Sequence, residues 1–351
     1  MIRQYKVLLL MCVLVVFRVY ACCYTSGIKC SSDMLAKEKS SVLPPFVNSF
    51  FSTIRSKSVE TARIYLPSPH SELLLGMTVG VDELSKVPRF KQSLKDTGTI
   101  HVVVVSGFNI SLVLGIVFGV VGSPYRWRNL IVANFVTLFY ALLCGFEPPI
   151  IRAWIMGSIA SLGKYYGRVI DCEKLLIFSG LVMSLINPLY LYSLSFQLSF
   201  LATLGLVEYG NFFSNLIYKI IPAKFALMDD LCSTLSAQVL VWPLISFSFG
   251  NVSVISPLVN TLVLWTVPVA TILGMVFLVI GGICPLLGRA LALVVYAPLD
   301  IFVCTTRFFS STPLAFLSLK AGGFFLVFYY FAVLLFTVLL KSKAIGDYES
   351  N

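Results

Sequence analysis

The chain has 351 residues, of which 58% are hydrophobic and 12% are charged, and its formal net charge is +10. Soluble domains carry about 25% charged residues, so this composition excludes an ordinary soluble protein and predicts a helical membrane protein. The positive charge does not by itself indicate nucleic-acid binding, because membrane proteins concentrate Lys and Arg in their cytoplasmic loops.

Residues 1–23 are predicted to form a first transmembrane helix, because Arg3 and Lys6 precede an apolar run. A signal peptide is the alternative, but no A-x-A cleavage site follows. Residues 24–99 are the only long polar stretch, and we predict an extracytoplasmic segment with amphipathic helices, one of which ends before Pro67. A disulfide from Cys30 to Cys22 or Cys23 remains an open alternative there.

Nine apolar segments follow, so with the first helix we predict an all-α bundle of about ten transmembrane helices. They fall at residues 100–122, 130–146, 149–166, 175–190, 194–211, 231–249, 254–280, 285–306 and 324–340. The alternate short loops that hold most of the Lys and Arg residues should lie inside, which places both termini in the cytoplasm. Residues 100–341 are thus the predicted membrane domain, and residues 342–351 are a cytoplasmic tail.

The segment 100–122 is apolar enough to cross a bilayer, yet it contains His101, Ser106 and Asn109. Polar side chains in such a segment usually face a protein interior or a wet cavity. Ser106 and Asn109 are three residues apart and share a helix face, while Gly107 allows close backbone approach or local unwinding. We interpret the segment as the wall of an internal path. The alternative is that these residues only hydrogen-bond a neighbouring helix.

Two further groups of polar residues lie in later apolar segments. Arg152 follows Glu147 by about one helical turn, and the two side chains could pair; alternatively, Arg152 reaches the outer headgroups and Glu147 is solvated. The second group, Ser195, Gln197 and Ser199, lies in the predicted segment 194–211. Helix packing could explain the serines, but the Gln197 amide needs several partners in a dry setting.

The motif from Phe196 to Ser199 is similar to that from Phe108 to Ser111. Four residues do not define a repeat, but two segments with an amide and a hydroxyl at matching depth could face one cavity. For Asn260 and Gln238, in later segments, packing is the simpler explanation. The chain has only 2 histidines and no cysteine pair with zinc spacing, so we expect no metal site, cofactor or catalysis. No G-x-x-x-x-G-K loop for nucleotide hydrolysis is present.

Five ordered motifs resemble the ComEC competence proteins, which are inner-membrane channels for uptake of single-stranded DNA. Residues 101–108, HVVVVSGF, are similar to the family pattern H-x-L-A-x-S-G-L, and residues 149–156, PIIRAWIM, to P-x-x-R-A-x-x-M. FQLSF at 196–200 is the most specific match. The stretch 71–76 and the later succession of 236–243, 249–250 and Asn260 complete the resemblance. Asn109 stands where many relatives have a second histidine.

The resemblance implies a channel that passes single-stranded DNA into the cytoplasm during competence, in the bacterial inner membrane and without catalysis of its own. We expect the channel core alone, without the OB-fold and metallo-β-lactamase-like domains of many relatives. Other competence proteins would supply the DNA receptor, a helicase-type motor and the nuclease, and a homo-oligomer is left open. The predicted substrate path consists of His101, Ser106, Gly107, Asn109, Glu147, Arg152, Ser195, Phe196, Gln197, Ser199 and Asn260.

Only the water-lined bundle follows from the residues, and the assignment of DNA follows from the resemblance. Two alternatives therefore stay open. The first is a transporter or flippase for another anionic solute, such as a lipid-linked intermediate. The second is a membrane scaffold without a conduit, in which neighbouring helices satisfy the polar residues.

Overall fold

The computed structural model describes residues 45–103, 105–220, 226–312, 315–317 and 321–349. Within these ranges the regular structure is helical, apart from one isolated antiparallel bridge between Val252 and Leu317. The predicted all-α fold class is thereby confirmed. The predicted helix over residues 1–23 and the three cysteines Cys22, Cys23 and Cys30 lie outside the described residues.

Fourteen α-helices occur in these ranges. They are α1 (Pro45–Tyr65), α2 (His70–Val79), α3 (Pro88–Asp96), α4 (Ile100–Val103), α5 (Gly107–Val121), α6 (Trp127–Leu143), α7 (Pro148–Tyr165), α8 (Cys172–Ile186), α9 (Leu194–Ile220), α10 (Ala226–Phe249), α11 (Ser256–Val263), α12 (Thr266–Gly281), α13 (Pro285–Ser310) and α14 (Gly323–Glu349). Two short 3-10 helices cover Leu84–Lys86 and Pro188–Tyr192.

Each of the nine predicted apolar segments contains at least one helix, but the helices differ in their ability to span a bilayer. Leu227–Phe249 in α10 and the whole of α13 are each long and apolar enough, and α11 with α12 forms a third candidate span that is bent by 46°. The apolar helix α5 has only 15 residues, about 22 Å of helix against a hydrocarbon core of about 30 Å. The count of ten spans and the cytoplasmic termini stay predictions.

The predicted helix over residues 100–122 is interrupted before Gly107, in agreement with the local unwinding that this glycine allows. The break separates α4 from α5, and Ser106 between them has extended backbone angles, with φ −104° and ψ 167°. The physical reason lies in the sequence before Gly107, where four consecutive valines occupy positions 102–105. β-branched side chains lose rotamer freedom in a helix and tolerate extended backbone well.

The helix α2 lies inside the protein, and all ten of its residues are buried. It belongs to one apolar core cluster with residues of α11, α12 and α13. Its sequence HSELLLGMTV has no polar face of the kind that a surface helix needs, which explains its burial. Gly274 of α12 permits close packing, since a Cβ there would lie 2.4 Å from Cδ1 of Leu74. The expectation of amphipathic helices in residues 24–99 is therefore wrong for α2.

Two further apolar clusters position the predicted site residues. One joins α7, α8, α9, α10 and α14, and the other joins α5, α6 and the start of α7. The helix α7 takes part in both clusters. It begins at Pro148 and Pro149, because proline suits the first turn of a helix, where its missing N–H costs no hydrogen bond. Arg152 thus lies one turn into a helix that contacts both groups.

Candidate functional site

Arg152 joins α7 to α9. Its Nη1 donates hydrogen bonds to the backbone carbonyl of Ser199 and to the hydroxyl of Thr203. The guanidinium carbon lies 5.7 Å from the centroid of the Phe200 ring, close enough for a cation–π contact. Phe200 in turn stacks on Phe196, with 4.1 Å between the ring centroids. The cation is therefore held by neutral oxygen acceptors and an aromatic face.

The break between α4 and α5 brings Gly107 against the same guanidinium. A Cβ added to Gly107 would lie 3.2 Å from Nη2 of Arg152 and 3.0 Å from Cβ of Ala153. Only glycine leaves room for this approach without displacing its neighbours. Four of the eleven predicted residues are thus brought together, and they come from three separate stretches of the sequence: Gly107, Arg152, Phe196 and Ser199.

The charge of Arg152 is not balanced by an ion pair among the residues that the structure describes. The predicted pair with Glu147 is absent from these ion pairs, and the Arg152 side chain extends to α9 instead. Glu147 precedes the first residue of α7 with extended backbone, at φ −70° and ψ 154°. The Nε atom of Arg152 is buried and has no hydrogen-bond partner in the described part of the chain. The guanidinium therefore retains positive charge and an N–H donor.

Asn109 faces α2. Its Nδ2 donates to the backbone carbonyl of Met77 at 2.8 Å, and the hydroxyl of Tyr140, on α6, donates to the adjacent carbonyl of Thr78 at 3.0 Å. Asn109 is 2% exposed, and its Oδ1 makes no hydrogen bond to the described residues. Sequence reasoning did not anticipate that α2 would carry the acceptors, because these are backbone carbonyls. The first turn of α5 is thereby fixed to the buried helix.

Four other predicted residues lie outside the Arg152 cluster. Gln197 is buried, and its Nε2 donates to the backbone carbonyl of Leu191 at 2.8 Å. The exposed imidazole of His101 has its Nδ1 2.9 Å from the carbonyl of Gly98. Ser195 is exposed and Ser106 is half-buried. Their assignment to a substrate path stays a prediction.

Asn260 belongs to a second polar cluster, at the junction of α10 and α11. Nδ2 of Asn260 and Nε2 of Gln238 both donate to the hydroxyl oxygen of Ser256, at 3.2 Å and 3.0 Å. Gly98 packs closely here, because a Cβ on it would lie 2.7 Å from that oxygen. In the sequence, Asn260 and Gln238 are isolated polar residues. Their shared contact with Ser256 identifies them as one group.

Arg152 and the buried amides Asn109, Gln197 and Asn260 share one property. In each, one atom is hydrogen-bonded and another is buried without a partner in the described chain: Nε of Arg152, Oδ1 of Asn109, Oε1 of Gln197 and Oδ1 of Asn260. Leaving such an atom unpaired costs about 1 to 3 kcal/mol. Other buried atoms outside the predicted path, such as Oδ1 of Asn129 and Oγ1 of Thr271, also have no partner in the described chain, so this property does not single out the path.

An open groove of about 470 Å³ lies elsewhere, between α1 and the loop after α2. It is lined by Ser52, Arg55, Ser56, Val59, Gly80, Val81 and Glu83, and by none of the eleven predicted residues. Partial burial acts to raise the pKa of the Glu83 carboxyl, but the hydrogen bond from Lys86 and the charge of Arg63 outweigh it and hold the pKa below its ordinary value. In the described ranges, no three His, Cys, Asp or Glu side chains are grouped as metal ligands.

The fold and the site together define an all-helical membrane protein with a half-buried cation and polar groups at a helix break. The chain belongs to the competence protein family, whose sequence model matches residues 47–344. It is 26% identical over 215 residues to the uncharacterized protein YcaI of Escherichia coli K12. The aligned region covers 59% of this chain and 28% of YcaI.

Two further relatives align with this chain over 213 and 115 residues. The chain is 22% identical over 213 residues to ComE operon protein 3 of Bacillus subtilis 168, covering 60% of this chain and 26% of that protein. An uncharacterized protein of Aquifex aeolicus VF5 is 36% identical over 115 residues, covering 31% of this chain and 26% of the relative. The matched regions thus span only about a quarter of these curated relatives. No solved structure matches the chain.

Proposed function

We propose that this chain passes single-stranded DNA through the bacterial inner membrane into the cytoplasm during competence, as a channel without catalysis of its own. Membership of the competence protein family supports the role in DNA uptake. The observation that carries the choice of a polyanionic substrate is Arg152, whose buried N–H donor has no partner and whose charge has no ion pair among the described residues.

A nucleic-acid strand fits this chemistry in two respects. A phosphodiester oxygen can accept a charge-assisted hydrogen bond from the guanidinium, and such bonds are about twice as strong as neutral ones. Bases can stack on aromatic rings without regard to sequence. Arg152 with the stacked pair Phe196 and Phe200 offers both groups within one cluster.

The other predicted residues take supporting places in this proposal. His101, Ser106 and Asn109 would line the outer half of the path, and Gln197 and Ser199 would form the opposing wall. Glu147, Ser195 and Asn260 complete the proposed path, and their contribution depends on hydrated space beside them. The receptor, motor and nuclease would be separate competence proteins.

The test uses the full chain in lipid nanodiscs and a fluorescent poly-dT oligonucleotide. We expect Arg152→Ala to weaken binding by about tenfold to a hundredfold, since hydrogen bonds to charged groups contribute about 1.5 to 3 kcal/mol. The slope of log K against log salt should fall by about 0.7, the value for one neutralised phosphate of a single strand. Arg152→Lys should keep the slope but bind less tightly, because lysine lacks the planar donor fork.

Arg289→Ala is the matched control, because it removes one exposed arginine of α13. Uptake of the same oligonucleotide into proteoliposomes is then measured for all variants. An unchanged salt slope and unchanged uptake in Arg152→Ala would remove this residue from the path. Export or flipping of a lipid-linked anion without oligonucleotide uptake would favour the transporter alternative.

A further inference from the structure

Asp300 is the single acidic residue of α13, a helix that is long and apolar enough to span a membrane. It lies ten residues before the end of this helix, which is about 15 Å along the axis. An ionisable group at such a depth is costly and normally has a specific partner and a function. The sequence motifs did not draw attention to Asp300.

The partner of Asp300 is His70, which lies 230 residues away in the sequence at the start of α2. The imidazole Nε2 is 3.0 Å from Oδ1 of Asp300, and the imidazole stacks on the Tyr296 ring at 4.6 Å. The two side chains differ in access: that of His70 is 7% exposed and that of Asp300 is 41% exposed. A carboxylate within reach of the surface therefore contacts an imidazole that is almost wholly enclosed.

The hydrogen-bond pattern assigns the proton of the neutral ring. An ionised carboxylate only accepts, so Nε2 carries the hydrogen and Nδ1 keeps its lone pair. Nδ1 is buried and has no hydrogen-bond partner among the described residues. One further proton can be bound at this nitrogen. The imidazolium then keeps its Nε2–H bond to Asp300, and the pair changes from a charge of −1 to 0.

Besides His70, the Asp300 carboxylate has the phenol of Tyr296, one turn earlier on α13, as a hydrogen-bonding neighbour. Tyr296 faces the ring from α13 with Cys304 close to it, and α12 contains no titratable residue. On α1, Arg63 is engaged by Glu83, and on α2 itself Glu72 accepts a hydrogen bond from the Ser71 hydroxyl. The helix α3 packs against α13 and carries charged residues, namely Arg89, Lys91, Lys95 and Asp96. Among the described residues, His70 is the one cationic side chain that forms an ion pair with Asp300.

The helix α2 connects this pair to the proposed path. Its first residue is His70, and its last turn supplies the carbonyls of Met77 and Thr78 that hold Asn109 and Tyr140. The two ends are about 11 Å apart along the helix axis. Because α2 is completely buried, a shift at one end is transmitted through packed side chains rather than absorbed by solvent.

We propose that His70 and Asp300 form a proton-binding site in the membrane domain, and that α2 couples its occupancy to the helix break before Gly107. The ligand is one proton taken from water and returned to water. The coupling rests on the proposed function, because the break borders the path of the strand. The proton site itself does not.

The first experiment measures the site without DNA. The chain has 2 histidines, so the His101→Gln variant leaves His70 as the single imidazole. This variant, without a histidine tag and in nanodiscs, is labelled with ¹⁵N-histidine and titrated by NMR. We expect the ¹⁵N signals of His70 to follow pH in the parent, and Asp300→Asn to change the midpoint of that response, because Asp300 contacts the ring directly.

Asp82→Asn is the control, because it removes the same charge from a side chain that is 66% exposed. Asp300→Glu keeps a carboxylate and should keep the midpoint close to that of the parent, which guards against a folding defect in Asp300→Asn. A midpoint shift in Asp300→Asn no larger than that in Asp82→Asn overturns the proton site.

The second experiment measures coupling by oligonucleotide uptake into proteoliposomes, with and without a pH gradient. The gradient should raise uptake severalfold in the parent chain and not in His70→Gln or Asp300→Asn. An equal response in all three overturns the coupling alone. If the parent takes up no oligonucleotide under any condition, the proposed function fails, and the NMR titration still decides the proton site.

Discussion

The substitution Gly107→Ala tests whether the close approach between the start of α5 and α7 positions the half-buried side chain of Arg152. The new Cβ would lie 3.0 Å from Cβ of Ala153, 3.2 Å from Nη2 of Arg152 and 3.4 Å from the carbonyl oxygen of Pro149. Carbon atoms pack best at about 3.5 to 4.0 Å, so the helices must separate by about 0.5 Å or more. The flexible guanidinium can also move, but only by weakening its hydrogen bonds to α9.

The loss of stability in Gly107→Ala comes from overpacking, which costs about 1 to 3 kcal/mol of folding free energy. Alanine also makes the unfolded chain less flexible than glycine does, which stabilises the fold by about 0.4 to 1 kcal/mol. We therefore expect the free energy of unfolding to fall by about 1 to 2 kcal/mol in total. Gly115→Ala in the same helix is the matched control, because no atom lies within 4 Å of its new Cβ. Alanine is favoured over glycine inside helices, so Gly115→Ala should gain about 0.5 to 1 kcal/mol.

Thermal unfolding and poly-dT binding in nanodiscs measure the two consequences. We expect opposite shifts in melting temperature for the two variants, and about tenfold weaker binding for Gly107→Ala alone, equivalent to about 1.4 kcal/mol. Adding Ala153→Gly to Gly107→Ala removes the closest contact and should recover part of the binding. Equal stability and equal binding in Gly107→Ala and Gly115→Ala would refute the reasoning.

Three further predictions concern other contacts. A Cβ on Gly205 would lie 2.4 Å from the backbone oxygen of Ser236, so Gly205→Ala should separate α9 from α10 and lower stability by about 2 to 3 kcal/mol; a normal melting temperature would contradict this. Asn109→Leu removes the bond to Met77 and should cost about 1 to 2 kcal/mol in thermal unfolding, and an unchanged melting temperature would show that the bond contributes nothing. The lowered pKa of Glu83 stabilises the fold above the ordinary carboxyl range, and this contribution is lost as the pH falls through the lowered pKa. Glu83→Gln should therefore unfold at a lower temperature than the parent at pH 7, with the gap closing below about pH 4; a gap that persists in acid would refute the assignment.

The helical class and the main apolar segments could be predicted from the sequence, because they depend on composition and local pattern. Each of the nine predicted segments contains a helix, and α7 begins at the prolines before Arg152. The break before Gly107 agrees with the local unwinding that the sequence analysis gave as one of two roles for this glycine. Polar residues within apolar segments were correctly recognised as buried in the cases of Asn109, Gln197 and Asn260.

The sequence by itself determined which buried side chains would need partners, and only the tertiary structure decided what the partners are. Asn109, Gln197 and Arg152 each bond to a backbone carbonyl, of Met77, Leu191 and Ser199 respectively. Every residue carries a carbonyl, so such an acceptor leaves no signature in the sequence. His70 and Asp300 are recognisable as titratable residues, but packing of α2 against α13 alone places them 3.0 Å apart.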